Sequence, residues 1–269
     1  MICKISPKAL FSEKEISELV NSFYCTGNTV VKGNRNEIKS FKSGSFNFNI
    51  KSFKKPIFIN KIIYSYFRKS KAARSFEYGM ILLEKGIGTP EPIAFVENFD
   101  WIGLTNSYYI CEHLTFDFMF RDLVETENFP DLENILKQFT RFSFNLHEKG
   151  IEFLDHSPGN TLIVKASNGN YDFFLVDLNR MRFHQQMSFE IRMENLCKLV
   201  TSEEMIVIIS EEYSKLYNKS YAETFAKLSL YTTAFHQKYD KKRKFKLFFK
   251  KTNQIVRRKI NSRATILLL

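Results

Sequence analysis

Residues 151–183, IEFLDHSPGNTLIVKASNGNYDFFLVDLNRMRF, decide how this chain folds. Asp155 opens a polar, turn-rich segment, Asp155-His156-Ser157-Pro158-Gly159-Asn160, that interrupts apolar sequence on both sides and so reads as a loop between two buried elements. Thr161 to Val164 have the pattern of a short strand, Asn168-Gly169-Asn170 of a turn, and Phe173 to Val176 of a second strand that ends on Asp177. Paired as a hairpin, the two strands carry both polar ends to one rim.

Transfer of a phosphoryl group from ATP asks a protein for little else than such a rim. It needs a carboxylate at the attacking hydroxyl and oxygen ligands for magnesium. On this reading Asp155 orients and deprotonates the hydroxyl, Asn160 holds a metal ion through its amide oxygen, and Asp177 bridges metal and phosphates. The plain alternative is ordinary turn chemistry, in which Asp, Ser, Pro, Gly and Asn recur without any catalytic role. Residues elsewhere in the chain have to separate the two.

The bulk properties leave room for an enzyme. The 269 residues, 44% of them hydrophobic, suffice for one large domain or two lobes. Cys3, Cys25, Cys111 and Cys197 are scattered, without CxxC spacing, as in a reduced cytosolic protein. The N-terminal MICKISPKALFSEKEISELV lacks an apolar signal core, and no run approaches the roughly 20 apolar residues of a membrane span. The net charge of +11 is local: Lys238 to Arg263 hold twelve Lys/Arg against Asp240 alone, which leaves 28 basic and 28 acidic residues for the rest. Phe245, Leu247, Phe248, Phe249, Ile255, Val256 and Ile260 interleave with those cations, a mixture suited to an anionic membrane surface. A solvated basic helix is the alternative; the aromatic residues are too irregular for a nucleic-acid stacking platform, and no nucleic acid is expected.

Taken in order, residues 7–23 predict a helix, with Ser12 and Glu15 as a capping box, that embellishes the N-terminus. The period then changes to two. Thr29–Val31, Glu37–Phe41 and Phe46–Lys51 predict three strands, with Gly33 in the first turn placed to bring backbone amides near phosphate. In the third strand Phe46, Phe48 and Ile50 share one face and Lys51 points to the other; Lys54 is its rival for a phosphate-contacting lysine. Residues 59–85 predict a long helix on which Glu77 is placed to pair with Lys51. Strands at 93–97 and 107–112 complete a lobe of five strands and one helix, and Glu112 to Thr115 form a hinge whose backbone faces adenine. The helix predicted over 131–149 delivers the chain to Asp155, with His147 in a structural role in its last turn. Helical patterns from 190 to 236 fill a second lobe.

These segments together resemble the lipopolysaccharide core kinases, the Kdo kinase and heptose kinase (Kdo/WaaP-type) family of the protein-kinase-like superfamily. The likeness is carried by FNIK at 48–51, KSKAARSFEYGMILLEKGIGTPEPIAF at 69–95, SYYICEHL at 107–114, LHEKGIEFLDHSPGNTLI at 146–163 and FLVDLNRMRF at 174–183. It implies an α+β, two-lobed fold: an N-lobe over 1–113 with an antiparallel sheet and one helix, a mainly helical C-lobe over 114–240, and a basic tail over 241–269. It further implies ATP and Mg2+ as cofactors, a Kdo-containing lipid A/core glycolipid as acceptor, and work at the cytoplasmic face of a Gram-negative inner membrane. Lys51 and Glu77 then anchor phosphates, Asp155 is the base, and Asn160 and Asp177 are metal ligands. Arg180 and Arg182 are candidates for holding an acidic sugar, or else plain surface cations. Phe153-Leu154 replace the His-Arg of protein kinases, Ser157 the loop lysine, and Asp177-Leu178-Asn179 the Asp-Phe-Gly, which argues against a regulated protein kinase. A protein kinase or another small-molecule phosphotransferase, or a pseudokinase scaffold that keeps the fold without turnover, remains the alternative.

Overall fold

A computed structural model describes the chain except residues 34–35, 58–60, 62–63, 65–67 and 267–269, and except the side chains from residue 246 onward. The N-terminal half is one six-stranded antiparallel sheet in the order β1-β5-β6-β4-β3-β2. Its strands are β1 (Ile2–Ile5), β2 (Asn28–Lys32), β3 (Asn36–Ser43), β4 (Phe46–Phe53), β5 (Pro92–Phe99) and β6 (Leu104–Glu112). Five of them fall where the period-two pattern places them. The sixth, β1, is an addition: its four residues pair with β5 from Ile2↔Glu97 to Ile5↔Ala94 and cover that edge.

Alternation along β4 gives the sheet two working faces. Phe48 and Ile50 join Val96, Tyr108 and Ile110 on one side, where Ile16, Val20 and Phe23 of the N-terminal segment bury them. Helix α1 (Glu13–Asn21) is capped by Ser12, whose Oγ accepts from Glu15 N while Glu15 Oε2 accepts from Ser12 N. It is therefore half of a core and not an embellishment. Lys51 and Phe53 emerge on the other face, against helix α2 (Lys71–Glu84), where Ala72, Ala73 and Phe76 meet Phe53, Phe95 and Tyr109. The single helix predicted over 59–85 is interrupted: residues 68–70 are not helical and Ser70 caps α2, with Lys61 and Tyr64 helical before the break and 58–60, 62–63 and 65–67 outside the described residues.

The second half is mainly helical: α3 (Phe120–Glu125), α4 (Leu132–Glu148), α5 (Phe189–Leu196), α6 (Glu203–Tyr217) and α7 (Tyr221–Ile266). Two small sheets lie between α4 and α5. One joins β7 (Phe118–Met119), β9 (Thr161–Lys165) and β10 (Tyr171–Leu175); the other pairs β8 (Ile151–Phe153) with β11 (Met181–Phe183). Phe120, Ile135, Leu136, Phe139, Met193, Leu196, Ile209 and Tyr213 form the core of this half.

A separate cluster joins the halves under the cleft: Leu82 and Ile87 from α2 and its exit, Leu146, Ile151 and Phe153 from below, and Leu175, Leu178 and Met181 from the segment around Asp177. Beside it Thr89 Oγ1 donates to Leu175 O at 2.8 Å and Leu175 N donates to Gly88 O at 2.9 Å. Gly88 permits this approach, because a Cβ there would collide with the Phe173 carbonyl.

Helix α7 runs without a break through residue 240, so the basic stretch continues the helix that closes the second half. Residues 241–245 are exposed; the side chains of the basic tail from 246 on, and its last three residues, lie outside the described residues. Among the described residues no helix is long and apolar enough to cross a membrane.

Phe23 is fully buried against the outer face of the sheet. The expected cost of Phe23→Ala is about 3–5 kcal/mol in urea denaturation; a loss under about 1 kcal/mol would show that the N-terminal segment is dispensable.

Candidate active site

The loop at Asp155 is pinned from beneath by groups far away in sequence. Leu154 N donates to Arg180 O at 3.0 Å, across β8 and β11. Lys198 Nζ reaches Leu154 O at 2.7 Å, and Asn195 Nδ2, from α5, reaches Phe153 O at 2.8 Å. Asn195 Oδ1 in turn accepts from His147 Nε2 and from His156 Nδ1, each at 3.2 Å, and His147 Nδ1 then accepts from the Tyr213 hydroxyl at 2.9 Å. The tautomers are those the hydrogen-bond network assigns. Both imidazoles are fully buried, and burial holds them neutral, His147 down to about 3 and His156 down to about 4.

The same loop is tied to Asp177 from above. Asn160 ends a 3-10 turn (Pro158–Asn160); its Nδ2 donates to Asp155 O at 2.8 Å and its carbonyl accepts from Val176 N at 3.0 Å. Asp177 follows at φ +59°, a left-handed conformation unusual for a residue with a side chain, with Asn179 Nδ2 donating to its Oδ1. That turn aims the carboxylate at the sheet, where Lys51 Nζ lies 2.8 Å from Oδ1. The Lys51 side chain is only 12% exposed, so this ion pair is partly withdrawn from water. Lys54 lies past the end of β4 and is exposed; it is Lys51 that reaches the cleft.

Other predicted residues stand elsewhere than expected. Glu77 does not pair with Lys51. Its carboxylate holds Lys69 Nζ at 2.7 Å, because Asp177 has taken the Lys51 amine and Lys69, just before α2, is within reach. Arg180 and Arg182 diverge. Arg180 Nη1 donates to Asp155 Oδ1 at 2.8 Å, whereas Arg182, on β11, lies 3.7 Å from Glu152, which also takes His184 at 2.8 Å. Arg182 thus sits on Glu152 and not on Asp155, while Arg180 lies just before the strand and is free of its alternation. Glu112 ends β6 with its amide on Glu91 O, and the next residue, His113, donates its amide to Asn47 O at 3.0 Å. Gly33 N donates to Asn36 O in the β2–β3 turn, of which residues 34–35 lie outside the described residues. Asn195, Lys198 and His156, which shape the loop, carry no local signal. Asn195 and Lys198 come from α5 and just after it, and His156 looks like one more polar loop residue.

The donor set suits magnesium. Among the described residues no group of three or more His, Cys, Asp or Glu gathers as a protein-only metal cage. Magnesium does not need one, since it binds through one or two carboxylates with water and substrate phosphates completing the octahedron. Asp177 and the amide oxygen of Asn160, whose nitrogen is committed to Asp155 O, are oxygen donors of the kind that could hold it.

No family model matches the chain, and no curated protein matches it in sequence. Solved structures do match in fold. A structure of WaaP in complex with acyl carrier protein is 14% identical, with 90% of this chain and 99% of that one covered at a TM-score of 0.58. The Rio2 kinase from Chaetomium thermophilum, in an ADP/Mg2+-phosphoaspartate complex, is 12% identical over 79% of this chain and 65% of that one, at a TM-score of 0.45. The likeness to WaaP places the chain in the protein-kinase-like fold.

The two neutral histidines make stability depend on pH. Their folded values lie below the ordinary 6.5, so below that pH the unfolded chain takes up protons that the fold refuses. Stability is therefore complete above about pH 6.5 and falls as acid is added, by up to about 1.4 kcal/mol per pH unit per histidine, levelling only near the folded values. Urea denaturation from pH 7 to 5 is expected to show a smaller decline for His156→Gln than for the parent; equal slopes would contradict the burial.

Proposed function

We propose that this chain is an ATP-dependent kinase that phosphorylates a sugar hydroxyl of the lipopolysaccharide inner core, with Kdo as the acceptor sugar. The observation that carries the reading is the continuous set of contacts from Asp155 through Asn160 and Val176 to Asp177 and on to Lys51. It brings a base, two oxygen ligands and a phosphate-directed cation to one cleft. The resemblance of the motifs to Kdo and heptose kinases and the WaaP-like fold support the same acceptor class.

In this reading Asp155 accepts the proton of the acceptor hydroxyl while the hydroxyl oxygen bonds to the γ-phosphorus of ATP. The bond from that phosphorus to the β,γ-bridging oxygen breaks, and its electrons leave with ADP. Lys51 turns from Asp177 toward the α- and β-phosphates when the nucleotide enters, and Asp177 and Asn160 hold magnesium. Magnesium held by these two residues would supply charge neutralisation at the phosphate oxygens. Catalysis is then mainly positioning, with the base contributing on the order of 10²- to 10⁴-fold.

The basic end of α7 rests on anionic lipid in this picture, at the cytoplasmic face of the inner membrane, so that a lipid-linked sugar and the cleft share one surface. Each cation near the headgroups contributes on the order of 1 kcal/mol.

Incubation with ATP, magnesium and Kdo-bearing lipid A is expected to add the mass of one phosphate to the lipid. Asp155→Ala should lower that rate by about 10²-fold or more with circular dichroism unchanged; an Asp155→Ala protein of normal activity would remove it as the base. Nucleotide binding without transfer to any core glycolipid would instead favour a pseudokinase scaffold. Deleting residues beyond 240 should weaken co-sedimentation with anionic vesicles at least tenfold, while leaving phosphorylation of a detergent-dispersed acceptor largely intact.

A further inference from the structure

Among the described residues two arginines are buried, and their surroundings differ in kind. Arg192, 3% exposed, is fully engaged: its Nη1 donates to Glu148 at 2.6 Å, its Nε to Met187 O at 3.0 Å, and its guanidinium lies 4.7 Å from the centre of the Tyr217 ring. Among the described residues Arg74, in the first turns of α2 and 7% exposed, has only the Ser70 carbonyl, 3.3 Å from its Nε. Among the described residues no carboxylate contacts it, and the segments left undescribed contain no acidic residue. A guanidinium stays charged under all ordinary conditions, and burying one without an anion costs several kcal/mol.

Its neighbours add positive charge. Burial lowers the Arg74 pKa, and the charges of Arg68 and Arg180 lower it further. Arg180 is the residue on Asp155, and one helical turn beyond Arg74 the Tyr78 ring meets Phe183 at 5.4 Å, so α2 and the segment after Asp177 are packed together here. The acids nearby are engaged elsewhere. Glu77 holds Lys69, Asp155 holds Arg180, and burial raises the pKa of Glu97, beside Ser70. The Ser70 side chain caps α2 by accepting from Ala73 N at 3.1 Å, and the helix adds its own partial positive charge at this end.

We propose that Arg74 and Arg180, with Arg68 at the rim, form an oxyanion site that holds an acidic group of the acceptor, a carboxylate or phosphate borne close to the hydroxyl being phosphorylated. The site supplies the counter-ion Arg74 lacks. It also rests on the kinase reading for its link to turnover: an acceptor anion competes for the Arg180 guanidinium and frees Oδ1 of Asp155 for the hydroxyl. Neutral sugars lack the means to displace Arg180, so the site selects acidic acceptors and keeps the base covered when none is bound.

Anion binding can be read without turnover. The unfolding temperature of the full chain is followed with inorganic phosphate, with glycerol phosphate and with the monosaccharide Kdo, which has a carboxylate and no phosphate, each against chloride at equal ionic strength. A rise with at least one of the three, reduced about tenfold or more in apparent affinity by Arg74→Gln and by Arg180→Gln, is expected; which probe acts tells a phosphate site from a carboxylate site. Lys51→Met, which removes the nucleotide-phosphate cation, should keep the response. Should Arg74→Gln not fold, Arg180→Gln decides alone, because its side chain is exposed. No rise with any probe, or a full rise in the arginine variants, overturns the site. A chain with this response and no kinase activity would refute the kinase reading and leave the anion site standing.

Discussion

An ammonium group nearly withdrawn from water has to find an anion, and in this fold the Lys51 amine finds Asp177. Removing one partner of a buried pair typically costs about 3–5 kcal/mol, though Asp177 is a third exposed and solvent softens the figure here. The geometry is demanding, because the lysine comes from a sheet and the carboxylate from a segment more than a hundred residues later. The shared cluster of Leu82, Ile87, Leu175 and Leu178, with the Gly88–Thr89 clasp on Leu175, fixes the distance between the halves so that the pair can form. The left-handed backbone at Asp177 supplies the final turn of direction.

The lower wall of the cleft obeys a different logic. Histidines that stay neutral, an asparagine that uses both ends of its amide, and a tyrosine hydroxyl bond to one another inside the helical half, with the His156 Nε2 left unpartnered among the described residues. In low dielectric such a network is stiff when complete and costly when broken. Its rigidity passes to the Phe153 carbonyl, and so to the position of Asp155 two residues on. The exposed charges, Arg180 and Lys69, lie on the side open to solvent.

Much of this was legible in the sequence because it is local. Turn residues between apolar runs marked the Asp155 loop; the alternation of Phe48, Asn49, Ile50 and Lys51 told which side chain leaves the core face; and Ser12 with Glu15 announced α1. What was not legible depends on partners from elsewhere. Strand β1 is four residues whose pattern means nothing until the edge of β5 is beside it. Helical spacing could place Glu77 toward the sheet, but not decide between Lys51 and Lys69. Asn195 and Arg74 sit on helices, and Lys198 just past one, as ordinary polar residues; burial distinguishes the first two, and its bond to the Leu154 carbonyl the third.

The last helix has a mechanical corollary. Its final described tie to the body is His236, whose Nε2 meets Val200 O at 2.9 Å, and some thirty residues of helix follow. At 1.5 Å per residue that is an arm of roughly 45 Å, longer than a small domain is wide. Whatever grips the far end is joined to the body by a continuous helix rather than by a slack tether.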